Sequence, residues 1–220
     1  MGQRSERAQR ALLDSAEELY ARHGIDAVSN RKITEHAGAS NHSAVTYHFG
    51  GRDELIKALL RRQLAEMESR RAELVAGLAA DAGLWDLVAC RILPLVEQLA
   101  ALPVPSWRAR FLHQVHGVSA VAPLMNSAFD DSETLAEVRR RVLPHVEGVP
   151  EKVLQARSGI LGHMVLGLCA EYEAQVEAGT QEGDWISVGY FLIDAVTGML
   201  VAPVTRRGGR VAPASSHNLI

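Results

Sequence analysis

A chain of 220 residues, 47% hydrophobic and 22% charged, can bury a sizeable core and is too apolar for a disordered segment. The formal charge of −3 does not mark the whole chain as a polyanion binder. Residues 1–62, however, hold ten Lys or Arg against eight Asp or Glu (+2), and the remainder holds thirteen against eighteen (−5), so a basic N-terminal part sits on an acidic body.

Residues 4–23 place Ala8, Leu12, Ala16, Leu19 and Tyr20 at helical period, and Gly24 stops that helix. "IDAVSNRKITEHA" restarts it, with Ser29 or Asn30 as N-cap and Ile33 and Ala37 facing inward. Gly38 supplies a left-handed turn, Asn41 caps a short helix anchored by Ala44 and Val45, and Phe49 ends it in the core. After Gly50–Gly51 a longer helix begins, with Asp53 and Glu54 in its first turn. Further helical segments are predicted at 69–80, 84–101, 107–119, 131–146, 150–178 and 184–202. The punctuation is Gly83, the run around Pro103 and Pro105, Pro123, Gly148–Pro150 and Gly179–Gly183, with kinks or shortening at Pro94 and Pro144. No strand alternation or internal repeat is present. Aromatics are only 5%, so the fold class is all-α.

The stretch "ITEHAGASNHSAVTYHF" carries the chemistry. Two helices joined by a tight glycine turn, with a third behind them, make a helix-turn-helix. A helix built only for its own stability would use Ala, Leu, Glu and Lys. Here Asn41, His42, Ser43, Thr46, Tyr47 and His48 offer donors and acceptors instead, as a helix entering the major groove must. Glu35 and His36 read as solvent-facing.

"RALLDSAEELYARHGIDAVSNRKITEHAGASNHSAVTYHFGGRDELIKALL", with its trailing "YHFG-x-x-x-E-L", resembles the DNA-binding domain of the TetR family of bacterial transcriptional regulators. The likeness spans residues 7–62, about a quarter of the chain. It implies an all-helical homodimer: an N-terminal three-helix DNA-binding domain, and a larger C-terminal helical domain for ligand binding and dimerisation. It implies phosphate contact at Asn30 and Arg31, base and backbone contact at Asn41, His42, Ser43, Thr46, Tyr47 and His48, and phosphate contact at Arg52. The turn holds one residue more than the family's common pattern, Ser40, which puts Thr46 at the usual recognition-helix tyrosine position and Tyr47 one place later. The expected boundaries are 1–50 for the DNA-binding domain, 51–203 for the effector and dimerisation domain, and 204–220 for a mobile tail.

In the larger domain Leu161, Met164 and Leu168 recur at helical spacing, as do Val188, Leu192, Ala195 and Met199, and these are the expected dimer interface. Gly159, Gly162 and Gly167 would let another helix approach closely. Trp85, Trp107, Phe111, His113, His116, Met125 and Phe129 lie mid-chain, where the family places its effector pocket. His113 and His116 share a helix face, but no Cys or carboxylate stands beside them at ligand spacing, so no metal and no cofactor is expected.

The chain shows no glycine-rich phosphate loop, no G-x-S-x-G elbow and no metal-type cluster, and Glu171 and Glu173 read as solvated charges, so an all-helical enzyme is disfavoured. Cys90 and Cys169 read as small buried hydrophobes. No uncharged stretch approaches membrane-spanning length, and Arg4, Arg7 and Arg10 precede an amphipathic rather than an apolar segment. The expectation is a cytoplasmic regulator with an operator in double-stranded DNA, a homodimeric partner and a small-molecule effector. A DNA-binding regulator without a ligand is the alternative.

Overall fold

The computed structural model describes residues 3–125 and 132–205. Phe129 and the tail from residue 206 lie outside them. Among the described residues there are nine α-helices and no strand: α1 Gln3–His23, α2 Asn30–His36, α3 Ala44–Phe49, α4 Arg52–Ala76, α5 Leu84–Ala101, α6 Arg108–Gly117, α7 Glu133–Val142, α8 Glu151–Glu177 and α9 Trp185–Val201.

Helices α1 to α3 close around the first turns of α4, over a core of Leu12, Leu19, Tyr20, Ile33, Val45, Leu55 and Ile56. Ser29 caps α2, its hydroxyl accepting from Lys32 N at 3.2 Å. The α2 end is a Schellman turn: Gly38 N donates to Glu35 O and Ala39 N to Thr34 O, both at 3.1 Å, with Gly38 at φ +67°. That φ is why glycine stands at the bend between α2 and α3.

Helix α4 runs unbroken through residue 69, where a break was predicted, and ends before Gly77. Its first half buries Leu55, Ile56, Leu59 and Leu60 under the N-terminal helices. Its second half buries Gln63, Met67 and Arg71 beneath α5 and α7. The buried stripe turns as the helix changes neighbours, which disguises one helix as two. Helix α5 continues through buried Pro94, packed on α9, whereas α7 stops at Val142 and a 3₁₀ turn, Leu143–Val146, carries Pro144.

Helix α8 lies on α6, and α9 lies on α5. Glycine permits both approaches. A Cβ at Gly162 would stand 2.8 Å from His116 Cε1, and one at Gly189 would stand 2.6 Å from Val96 Cγ2. Gly162 therefore admits α6 of the same chain through His116, whereas a Cβ at Gly167 would make only ordinary contact with His113, 3.6 Å from its Cε1. Helix α8 is long and apolar enough to cross a membrane by composition, but here Leu161, Val165 and Cys169 are buried within the fold.

Glu173 departs from its reading as a solvated charge. It is 2% exposed, and its carboxylate accepts from Ser106 Oγ (2.9 Å), Ala109 N (3.1 Å), Arg110 N (3.0 Å) and Arg110 Nε (3.0 Å). A side chain of α8 thus satisfies the orphan amides at the start of α6, where negative charge is also favoured by the helix dipole.

Candidate nucleic-acid interface

Helix α3 has six residues and no side-chain cap bond at its N-terminus. Isolated helices shorter than about 12–15 residues are marginal in water. What holds α3 is burial of Ala44 and Val45 against α2 and α4, with Val45 contributing about 1.5–3 kcal/mol. Asn41 braces the entry, Oδ1 accepting from Ser43 N at 3.0 Å. Gly50, at φ +88°, closes the exit by donating to Thr46 O at 2.9 Å.

With that face anchored, the other is free of the core. Asn41, His42, Ser43, Thr46 and Tyr47 are all exposed, Tyr47 at 79%. His48 is half-buried, its ring 4.9 Å from that of Tyr47 and 6.4 Å from that of Phe49. Ser40, Asn41, Tyr47 and His48 line a recess of about 460 Å³ between α1 and the α2–α3 turn. Arg4 and Arg7 of α1 line the same recess. Sequence reasoning assigned neither arginine to this face. Nothing in the spacing of α1 shows that its first turns lie beside α3.

Charges around α3 are partly satisfied within the protein. Arg31 is exposed, and its Nε donates to Glu35 Oε1 at 2.7 Å. His42 Nδ1 lies 3.9 Å from the same oxygen. The hydrogen bond from Arg31 holds the Glu35 carboxyl below the usual carboxylate range against the opposing effect of desolvation, with the charges of Arg31 and His42 adding smaller downward contributions. Glu35 is therefore an exposed carboxylate beside α3, legible only as an i, i+4 partner of Arg31. His36 Nε2 stands 3.2 Å from Glu18 Oε2. Asn30 is half-buried at the start of α2, its carbonyl accepting from Thr34 Oγ1 at 2.8 Å.

Arg52 is turned toward the α1–α2 loop. Its Nη2 donates to Ile25 O at 2.9 Å and to Asp26 Oδ1 at 2.8 Å. Burial pushes the Tyr20 hydroxyl up to about 12, with the charge of Arg52 pulling the other way. Arg52 thus holds the loop after α1 as well as standing at the start of α4.

The mid-chain residues predicted to form a pocket do not all gather in one place. Phe111 and Met125 are core, Phe111 stacking 6.2 Å from Tyr20. Trp107 lies under the guanidinium groups of Arg22 and Arg110. Trp85 is on the outer side, its Nε1 donating to Asp194 Oδ1 at 2.7 Å and its ring stacked on Tyr190. His113 faces Gly167, while His116 Nε2 lies 3.0 Å from His163 Nδ1. Among the described residues no group of three or more His, Cys, Asp or Glu could hold a metal ion.

Of the residues predicted for the dimer interface, Leu161 and Leu192 are wholly buried in the protomer's own core, because α8 and α9 turn those positions toward α6 and α5. Met164, Leu168, Val188, Ala195 and Met199 are half-buried. Beside them Ile160 and Phe191 stand 53% and 61% exposed, on one outward stripe per helix.

Residues 12–59 match the family model for bacterial regulatory proteins of the tetR family. The HTH-type transcriptional repressor AcnR of Corynebacterium glutamicum is 28% identical over 148 residues, covering 64% of this chain and 77% of its own. The AcnR of Corynebacterium efficiens is 28% identical over 115 residues, covering 50% and 59% respectively. Among solved structures, a putative tetR family regulator from Shewanella superposes with a TM-score of 0.57 at 15% identity, covering 84% of this chain and 95% of its own. FadR of Bacillus subtilis in complex with stearoyl-CoA gives 0.57 at 16%, covering 89% and 98%. At these identities the superpositions show the fold alone.

Proposed function

We infer that this chain, a member of the TetR family of bacterial regulatory proteins by its N-terminal domain, represses transcription as a dimer that a small molecule releases from its operator. One observation carries the DNA-binding part. A six-residue helix is pinned by two apolar side chains while its remaining polar face, including a tyrosine 79% exposed, is left to solvent beside two arginines of α1. Exposed Asn, His, Ser and Thr at that place suit base edges in a major groove, and Arg4, Arg7 and Arg31 suit the phosphates flanking it.

Dimerisation fits the outward stripes of α8 and α9, where Ile160, Met164 and Leu168 run beside Val188, Phe191 and Ala195. Large exposed apolar side chains in contiguous rows are unusual unless a partner covers them. A two-fold dimer would set two recognition helices against successive major grooves of a symmetric operator.

The effector reading rests on the larger helical domain, the AcnR relatives' description as repressors, and the FadR structure with stearoyl-CoA bound. An effector must bind the operator-bound and released states with different affinity, or nothing shifts. The proposed site is cytoplasmic DNA, and no catalysis is needed. Selecting genomic fragments with the purified protein tests the reading. Recovery of one short palindromic motif, protected as two half-sites, supports it. Recovery of random fragments overturns it.

A further inference from the structure

Helix α4 belongs to both halves of the chain. Its first turns lie among the N-terminal helices, and its second half lies beneath α5 and α7. It is an axle about which the N-terminal helices could turn, and α1, packed on α6, is what stops them. Helix α1 is fastened at two places. The inner one is Glu17, which accepts from Arg62 and Gln63 of α4 and from Arg108 of α6. It sits against α4 itself, so it has little leverage about that axis.

The outer one is Arg22, about 7.5 Å further along α1 at the helical rise. Its Nη2 lies 3.8 Å from Glu177 Oε1 of α8, and its guanidinium carbon lies 4.1 Å from the centre of the Trp107 ring, just before α6. Both partners are shared with α6: Glu177 Oε2 stands 2.6 Å from Arg110 Nη1, and the Arg110 guanidinium lies 4.6 Å from the same indole. Glu18 Oε1 takes Arg22 Nε at 3.1 Å while Glu18 Oε2 stands 3.2 Å from His36 Nε2, which joins the end of α2 to the cluster. Among the described residues the partners of Arg22 lie on α1, α6 and α8 and none lies on α4. The side chains of Arg22 and Glu177 are 46% and 31% exposed, so the pair adds little to stability. Placed away from the axle, it still sets an angle.

We propose that Arg22 is a positioning residue for operator recognition: its contacts with Glu177 and Trp107 fix the angle of the N-terminal domain on the body, and through it the separation of the two recognition helices in the dimer. The proposal rests on the dimeric DNA-binding reading above, and Arg22 itself touches no DNA in it. In a two-fold dimer a turn of each N-terminal domain carries its α3 along the duplex, where neighbouring base pairs are about 3.4 Å apart. A fixed angle selects one spacing of half-sites, and a loosened angle accepts the spacings beside it.

The experiment measures the affinity of the full-length protein, by fluorescence anisotropy, for three duplexes: the selected half-sites at their own spacing, and the same half-sites with one central base pair inserted or deleted. Wild type, Arg22→Met and Glu177→Gln are compared. Wild type is expected to prefer its own spacing by at least about tenfold, and both variants to narrow that preference to about threefold or less with the salt dependence unchanged. Glu177→Gln removes no cation and changes α8 alone, so it carries the test, with the same outcomes, where Arg22→Met fails to fold. A preference that stays about tenfold in the variants overturns the proposal. So does an equal loss at all three spacings with a salt slope lower by about one in Arg22→Met, which would make Arg22 a phosphate contact. If wild type binds all three duplexes equally, the proposal falls and the DNA-binding reading stands. If no motif is selected at all, that reading has failed on its own test and takes the proposal with it.

Discussion

Arg108 and Glu17 join the two halves of the molecule: Arg108 Nε, on α6, donates to Glu17 Oε1, on α1, at 3.1 Å, and both side chains are buried. Glu17 also accepts from Arg62 (2.6 Å) and Gln63 (3.1 Å), while Arg108 Nη1 reaches Glu66 at 2.6 Å. Helix α6 is itself fastened to α8 through Glu173. A hydrogen-bonded path thus runs from α8 through α6 to α1, the first helix of the N-terminal domain.

Breaking that junction should destabilise the protein. Removing one partner of a buried ion pair costs about 3–5 kcal/mol, because the other charge is stranded. Glu17 keeps Arg62 and Gln63, so the low end is expected for Arg108→Met: a loss of about 3 kcal/mol in urea unfolding. A loss below about 1 kcal/mol would show that Arg108 is solvated there.

If the surface beside α3 meets DNA, Glu35→Gln should tighten binding. It removes a negative charge from that surface and frees Arg31 and His42 from Glu35, so that both could reach phosphate. At neutral pH the carboxyl is charged, as any glutamate is, and Arg31 lowers its pKa further. The variant should bind about three- to tenfold more tightly at low salt, with a steeper dependence of affinity on salt. Unchanged affinity and slope in a salt titration by fluorescence anisotropy would separate Glu35 from the interface.

Arg52→Ala tests a residue with two possible duties. Loss of its bonds to Ile25 O and Asp26 should reduce stability by about 1–3 kcal/mol. If Arg52 also meets phosphate, binding to cognate and scrambled DNA should weaken equally and the salt slope should fall by about one. An unchanged slope confines Arg52 to the loop.

Two glycines of α9 should respond in opposite directions in the monomer. Gly189→Ala meets Val96 and should cost about 1–3 kcal/mol. Gly198 meets no atom within 4 Å, so Gly198→Ala alone should stabilise the helix by about 0.5–1 kcal/mol. Gly198 is exposed near Ala195 and Met199. If that face is the dimer interface, Gly198→Ala should weaken association in sedimentation equilibrium, and undiminished association would place the interface elsewhere.

The thiols should be inert in the folded chain. Burial raises the Cys90 thiol and pushes Cys169 up to about 12, so both stay protonated at neutral pH. Iodoacetamide should modify neither in native buffer and both in denaturant, as read by mass spectrometry.

Much of this was legible from residues alone. Gly83 and the proline run fixed α5 at 84–101, and Ser29 and Gly38 fixed α2, because caps and left-handed turns are local chemistry. The exposed face of α3 was legible for the same reason: weak helix formers beside two anchors leave few alternatives. What depends on distant neighbours was not. The glycines of α8 announce that something comes close, but not that it is α6 of the same chain. Glu173 looks like any helical glutamate until α6 is brought to it. Arg4 and Arg7 become candidates for the interface only once α1 is laid over the α2–α3 turn, and Arg52 shows its loop contacts only when Ile25 and Asp26 fold back onto α4.

The most direct test is the affinity of His42→Ala for the selected operator and for a scrambled duplex of equal length, at one salt concentration. If α3 reads base edges, the operator complex loses about 1–3 kcal/mol while the scrambled complex is nearly unchanged. Equal losses on both duplexes would contradict it, leaving α3 a phosphate-binding element that does not read sequence at His42.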